Sequence, residues 1–370
     1  MKILLLPGAF KGSLSALQAG QILSKNLTNH TVRCFPVSDG GDGFIDCWRM
    51  IDPQAQLIQT RAKDAFLHTR RTSFLLLSDG KTAVLETARI CGLGAAKKLD
   101  PLGASSFGVG QVILQAIKHG AKHIYIGLGG VACNDGGTGM AVACGAKLWD
   151  KASNEISLGA APLLELAKAD FSILRKNLRG VKIIGCADVT NPLLGPKSSA
   201  KVFGPQKGAT PAQVKLLDKA MARWARIIKQ ATSREVAHTP STAAAGAIAA
   251  GIYGCLGGKL LLGSDFLLQK LPLAKHAHWA DLIITSEGKF DAQTFYGKAP
   301  WAVLQLAQKH KKPVLFICGQ ADWKALEKHK LLHVCMAELV DFAPSLKYAK
   351  KHAGKYLTRV CKSIKSSYIL

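Results

Sequence analysis

Acidic residues are scarce in this chain: 24 Asp and Glu stand against 49 Lys and Arg in 370 residues, a net charge of +25. Charge of any kind is thin at 20%, while 48% of residues are hydrophobic. That balance excludes a disordered or low-complexity protein, because there is enough apolar surface to offset the entropy of ordering. Metal-ligand cysteine spacing is missing as well. Of ten cysteines the closest two, Cys133 and Cys144, are eleven positions apart, so no CxxC pair exists. Disulfide lattices belong to small secreted domains short of a core, so buried, reduced thiols are expected here. Long apolar runs are also lacking. Pro7 ends the run 3–6 before a signal-peptide core can form. The weakly charged stretches 124–146 and 236–258 are broken by glycines and filled with Ala, Ser and Thr. No membrane span is expected, and the reading is of a cytoplasmic protein.

The basic excess raises the question of nucleic acid. It is densest in the last seventy residues, with 13 Lys and Arg against 4 acids. Lys347, Lys350, Lys351, Lys355, Arg359, Lys362 and Lys365 are spaced like the wet face of a helix. No zinc finger, basic zipper or aromatic-interleaved RNA platform accompanies them. A solvated basic face is therefore expected rather than a nucleic-acid partner, and the charge suits an anionic small substrate equally well.

The pattern along the chain is that of an α/β protein. Strand 2–6 is followed by a helix over 15–27, with Ser15 and Gln18 as a capping box, then by strand 32–37. Segments 74–77 and 82–85 flank an Asp79-Gly80 turn and form a hairpin. Helix 107–117, strand 123–126, strand 181–186 and a long helix 211–230 capped by Thr210 come next, then strands 282–285 and 314–317.

Five strand ends carry clusters of Gly, Asp, Asn or Lys: 7–13, 38–43, 127–139, 186–196 and 285–298. Ligands of open α/β sheets bind at the carboxyl ends of strands, where glycine lets backbone approach closely and amides can hold phosphate. One such cluster is an ordinary turn; five, each with an acid or a lysine, point to a site for anions and Mg²⁺. Gly80-Lys81-Thr82 has the tail of a phosphate-binding P-loop, but Leu75 stands where its leading glycine belongs, which leaves a hairpin. Gly127-x-Gly129-x-x-Ala132 matches a loose dinucleotide fingerprint with Asp150 downstream, yet Asn134-Asp135-Gly136-Gly137 interrupts the helix it needs. No GxSxG elbow, HExxH pair or HRD kinase signature is present, so acyl transfer and zinc hydrolysis have no support.

The loops together carry a resemblance. Phe10-Lys11-Gly12-Ser13-Leu14-Ser15-Ala16, Asp39-Gly40-Gly41-Asp42-Gly43, Gly127-Leu128-Gly129-Gly130 with Asn134-Asp135-Gly136-Gly137, and Asp188 to Pro192 resemble the bacterial glycerate kinase type 1 family. So do Val202-Phe203-Gly204-Pro205-Gln206-Lys207-Gly208-Ala209-Thr210, Ala280 to Thr285, Glu287-Gly288-Lys289-Phe290-Asp291 with Gln293, and Gly297-Lys298-Ala299-Pro300. The match runs in order from residue 2 to about 320 and weakens over the last fifty residues.

The resemblance implies two α/β lobes around a cleft. One is discontinuous and Rossmann-like, from residues 1–68 plus 281–370; the other is an inserted α/β domain, 69–280. It implies ATP-dependent, Mg²⁺-assisted phosphorylation of D-glycerate to 2-phosphoglycerate. Under this reading Asp188 and Lys11 are catalytic, Asp188 orienting or deprotonating the hydroxyl and Lys11 or Lys207 neutralising transferred charge. Ser13, Asp39, Asp42, Asn191, Lys207 and Asp291 face the substrate, and Asp39 and Asp291 the metal. Gly129, Gly130, Asn134, Asp135, Gly136, Gly137 and Glu287 face the nucleotide. The chain departs from the family pattern in places. Gly8 and Ala9 stand where the family has Asp-Ser, Asp42 where it has Glu, and Ser241, Ala243 and Ala247 where it has glycines. The competing readings are a kinase-fold binding protein with impaired catalysis and a kinase for a related small hydroxy acid.

Overall fold

The computed structural model describes residues 1–38, 40–41, 43–95, 98–187, 189–263, 270–271, 273–295, 299–323, 331 and 333–367. The chain divides into two compact units, one of residues 1–51 with 263–370 and one of 52–262.

The first unit is built on five strands: β1 (Lys2–Pro7), β2 (Thr31–Cys34), β11 (Leu282–Glu287), β12 (Val314–Cys318) and β13 (Val334–Glu338). Their order is β13-β12-β11-β1-β2, and every neighbouring pair is parallel. A parallel sheet is covered on both faces, which is why residues 3–6 are apolar without alternation. Ile3 and Leu5 pack with Leu23, Leu357 and Val360 on one side. Leu4 and Leu6 pack with Ala277, Val303 and Phe316 on the other. Helix Ala16–Asn26 starts at the expected capping box, with Ser15 Oγ accepting from the Gln18 amide. Strand β2 runs only to Cys34, although the Phe35 and Val37 amides still donate to the Leu5 and Pro7 carbonyls at 2.9 Å; Pro36 falls between them on the open edge of the sheet, where no N–H is needed.

The second unit holds β3 (Gln56–Lys63), β4 (Thr69–Leu76), β5 (Thr82–Glu86), β6 (His123–Leu128), β9 (Lys182–Ala187) and β10 (Lys259–Leu262) in the order β10-β9-β6-β5-β4-β3. The run β5 to β10 is parallel, while β4 is antiparallel to both its neighbours. A small antiparallel pair, β7 (Lys147–Trp149) and β8 (Lys168–Asp170), lies apart from this sheet. The long helix runs Pro211–Thr232 and is capped by Thr210 as expected.

The units divide at 51/52 and 262/263, not near 68 and 280. Strand β3, invisible in the sequence, pairs with β4 from Gln56–Leu76 to Lys63–Thr69 and so draws its segment into the second sheet. At the other junction Leu271, Leu273, Ala277 and Ala280 pack in the same core as Leu4 and Leu6.

All ten cysteines are free thiols, but Cys335 is exposed and Cys34 half-buried, so burial holds for eight. Burial pushes the Cys144 thiol up to about 12 and that of the half-buried Cys34 up to about 11, so neither is readily a thiolate. The basic C-terminal stretch forms helices Leu346–Lys351 and Ala353–Ser367. Lys351, Lys355, Arg359 and Lys362 are exposed while Tyr356, Leu357, Val360 and Cys361 are buried, the solvated face that the spacing indicates. Among the described residues no helix is long and apolar enough to cross a membrane.

Candidate active site

The polar loops follow the carboxyl ends of parallel strands. In the first unit the chain order places β1 between β11 and β2, so connections leave in opposite directions on its two sides, the arrangement that opens a ligand crevice. The two strand ends there are stitched together: the Gly8 amide donates to the Ser286 carbonyl at 3.0 Å, and Ser286 Oγ donates to the Gly8 carbonyl at 3.0 Å. A Cβ on Gly8 would run into the Ser286 carbonyl oxygen. The acid that the resemblance leads one to expect at this position would meet backbone there.

Lys11 is exposed on the turn that follows, and Ser13 Oγ donates to the Lys350 carbonyl at 2.6 Å, which ties the turn to the C-terminal helices. At the end of β11, Glu287 is buried and accepts from Thr294 Oγ1 at 2.9 Å. Asp291 is half-buried, with Lys289 Nζ 3.3 Å from its carboxylate. Asp39, Asp42 and Asp188 lie outside the described residues. Among the described residues no group of three or more His, Cys, Asp or Glu gathers as a metal cluster.

In the second unit the loop after β6 carries Gly129, Gly130, Gly136 and Gly137. Thr87, just past β5, supports its start: Oγ1 donates to the Gly127 and Gly129 carbonyls at 2.9 and 3.0 Å. The Gly129 amide returns a bond to the same oxygen at 3.2 Å. Gly136 and Gly137 have φ of 68° and 76° and are pressed between two helices. A Cβ on Gly136 would sit 2.6 Å from the Trp224 ring, and one on Gly137 would sit 3.1 Å from Gly251 Cα. Trp224 Nε1 donates to the Gly136 carbonyl at 2.9 Å. The helix after this loop begins only at Thr138, so the dinucleotide fingerprint fails for the reason its sequence gives.

Asp135 is fully buried. Its carboxylate accepts from Ser105 Oγ (3.3 Å), Ser106 N and Oγ (both 2.8 Å), Gly137 N (3.2 Å) and Gly139 N (3.1 Å). The Gly136 amide donates to the Gly246 carbonyl at 3.2 Å. The groups expected to face a nucleotide at 135–137 are thus engaged inside the unit; of the preceding residues Gly130 is exposed, while 131–134 are buried and the Ala132 amide donates to the Cys91 carbonyl at 2.9 Å. Asn134 is buried, with Nδ2 donating to the Pro101 carbonyl at 3.2 Å and Oδ1 without a hydrogen-bond partner.

Three further segments converge on this loop. Lys207, deeply buried, donates from Nζ to the Cys133 carbonyl at 2.6 Å. Burial pushes its ammonium below the usual lysine range, while the adjacent Cys91 thiol and burial hold the Cys133 thiol up. The loop after β9 is joined to residues 241–243: the Ser241 and Ala243 amides donate to the Thr190 and Asn191 carbonyls, each at 3.1 Å. Asn191 itself spends Nδ2 on the Lys197 carbonyl at 3.0 Å. Sequence reasoning missed Thr87, Ser105 and Ser106. The only signal for the serines is their place ahead of helix Phe107–Lys118, which reads as ordinary capping.

Ser241 and Ala247, two of the positions where the family pattern has glycine, have φ of 68° and 64°. Left-handed backbone costs an L-residue roughly 1–2 kcal/mol. Ser241→Gly keeps the amide bond to Thr190 and is expected to gain about 1 kcal/mol, raising the melting midpoint by about 2–4 °C in a scanning calorimeter. An unchanged or lower midpoint would mean that the serine side chain contributes more than the strain costs.

Comparison with known proteins completes the picture. Residues 3–368 match the model of the glycerate kinase family, so the likeness includes the C-terminal segment where motifs are sparse. The chain is 38% identical over 332 residues to the glycerate 2-kinase of Escherichia coli (strain K12), covering 86% of this chain and 85% of that one. It is 35% identical over 376 residues to a glycerate kinase of Bacillus subtilis (strain 168), covering 99% and 97%. A crystal structure of a candidate glycerate kinase 2 from Salmonella typhimurium LT2 superposes with a TM-score of 0.78 at 33% identity, over 100% of both chains.

Proposed function

The chain belongs to the glycerate kinase family, and on that premise we propose that it transfers a phosphoryl group from ATP to the 2-hydroxyl of D-glycerate with Mg²⁺. The observation that carries this reading is the placement of the family's motifs. Described parts of four of them follow the carboxyl ends of the parallel strands β1, β6, β9 and β11, where α/β sheets bind anionic ligands.

The donor set fits the groups required. Gly130 supplies exposed backbone just past the end of β6, Lys207 holds the Cys133 carbonyl of the same loop, and Lys11 offers an exposed ammonium. Asp291, with the acids of the second loop, supplies oxygen of the kind Mg²⁺ takes alongside phosphate oxygens and water. When bound, that ion neutralises and aligns the phosphates. Lys11 or Lys207 offsets charge that shifts during transfer; fixed cations do this without reorganising. Asp188, the residue after β9, orients the glycerate hydroxyl and takes its proton.

The test is a coupled ADP-release assay with Mg-ATP and D-glycerate, the product located by phosphorus NMR. The expected product is 2-phosphoglycerate. ATP binding to folded protein without ADP release would instead favour the binding-protein reading. That outcome would trace to position 8, where the acid that the resemblance leads one to expect would meet backbone.

A further inference from the structure

Lys207 ends the short turn Pro205–Lys207 and is 3% exposed. Its Nζ has one hydrogen-bond partner, the Cys133 carbonyl, and among the described residues no carboxylate lies within ion-pair distance of it. Asp135, the acid whose charge reaches it, is already engaged by Ser105, Ser106, Gly137 and Gly139. A buried ammonium compensated by one carbonyl is costly unless an anion joins it.

Beside it runs a left-handed turn at the start of helix Ala244–Gly254: Ala245 (φ 52°), Gly246 (φ 61°) and Ala247 (φ 64°). The turn and the ammonium touch, since a Cβ on Gly246 would meet the Cys133 carbonyl oxygen and lie 2.8 Å from Lys207 Nζ. The Ala247 amide donates to the Ala243 carbonyl at 3.2 Å, but among the described residues the Ala245 and Gly246 amides have no acceptor. Ala245 is half-buried, so the turn reaches the surface of its unit. Gly246, the middle residue of that strained turn, thus lies against an uncompensated cation, and the turn carries two spare amides.

We propose that Lys207 Nζ and the Ala245 and Gly246 amides form an oxyanion subsite. It holds a carboxylate or phosphate oxygen, supplied by the hydroxy acid or by the nucleotide. The assignment of those two sources rests on the kinase reading; the subsite itself rests on the donors.

The experiment is a TROSY titration of the wild-type protein with D-glycerate, with glycerol and with a non-hydrolysable ATP analogue, each alone. The Ala245 and Gly246 amide signals are expected to move with one of the two anions and to stay still with glycerol. The anion that moves them identifies the source. Lys207→Gln keeps a donor for the Cys133 carbonyl and removes the charge. It should weaken that anion about 100-fold by isothermal titration while leaving the ligand-free melting midpoint unchanged or raised. Amide signals that ignore both anions would overturn the subsite, whatever the variant does. A glutamine variant that binds the anion as tightly as wild type, or that melts well below it, would overturn it too. Wild-type turnover of glycerate without these shifts would sink the subsite alone; shifts without turnover would sink the kinase reading alone.

Discussion

Asp135→Ala is expected to melt about 10 °C below the wild-type protein. The side chain is fully buried and gathers two hydroxyls and three backbone amides from Ser105, Ser106, Gly137 and Gly139. The serine hydroxyls can turn to other acceptors, but the amides of Ser106, Gly137 and Gly139 cannot. Leaving them buried and unpaired costs roughly 3–5 kcal/mol in all. A domain of about 200 residues loses roughly 2–4 °C of midpoint per kcal/mol. Calorimetry decides between this account and the role the sequence indicated. If Asp135 served the nucleotide directly, the alanine variant would melt within a degree or two of wild type and bind ATP poorly. If it is the tie-point of the loops, the melting midpoint falls first, and ATP affinity measured on the folded fraction in the cold changes little.

That contrast shows what kind of information the sequence carries. The glycine loops are legible because close approach and turning demand glycine, and because acids and lysines beside glycine are rare without a chemical reason. Which partner each loop residue takes is set across the fold. Gly136 looks like a ligand contact until Trp224 is found against it, 88 positions away in sequence. The same limit hid strand β3: Gln56–Lys63 carries Arg61 and Lys63 and lies at the sheet edge, where polar residues are tolerated and read as loop. Strand β1 could be seen at once, since burial on both faces leaves only apolar residues. The strained turn at Ala245–Ala247 had a faint trace, an alanine where the relatives' pattern has glycine, but its conformation required the fold.

Asp188→Asn is the substitution expected to cost most activity. The residue follows Ala187 at the end of β9 and lies outside the described residues, while Thr190 and Asn191, two and three positions on, accept from the Ser241 and Ala243 amides ahead of the turn at Gly246. Asparagine keeps the size and can still accept a hydrogen bond, but it cannot take a proton. A positioned base contributes about 10²–10⁴ to a reaction of this kind. Phosphoryl transfer has a loose transition state in which the attacking oxygen is only lightly bonded, so alignment of the hydroxyl counts alongside proton removal. The expected result is a fall in kcat of about 10³-fold, near 4 kcal/mol of barrier. KM for glycerate should stay within a few-fold and the melting curve within about 2 °C, since the exchange conserves size and hydrogen-bonding shape. The pH profile separates the two contributions. Wild-type kcat/KM should fall at acid pH as the Asp188 carboxylate takes up a proton, and the variant should lose that limb because asparagine does not titrate. A variant within tenfold of wild type, with the acid limb intact, would remove Asp188 from the chemistry and pass the role to Asp39, Asp42 or Asp291.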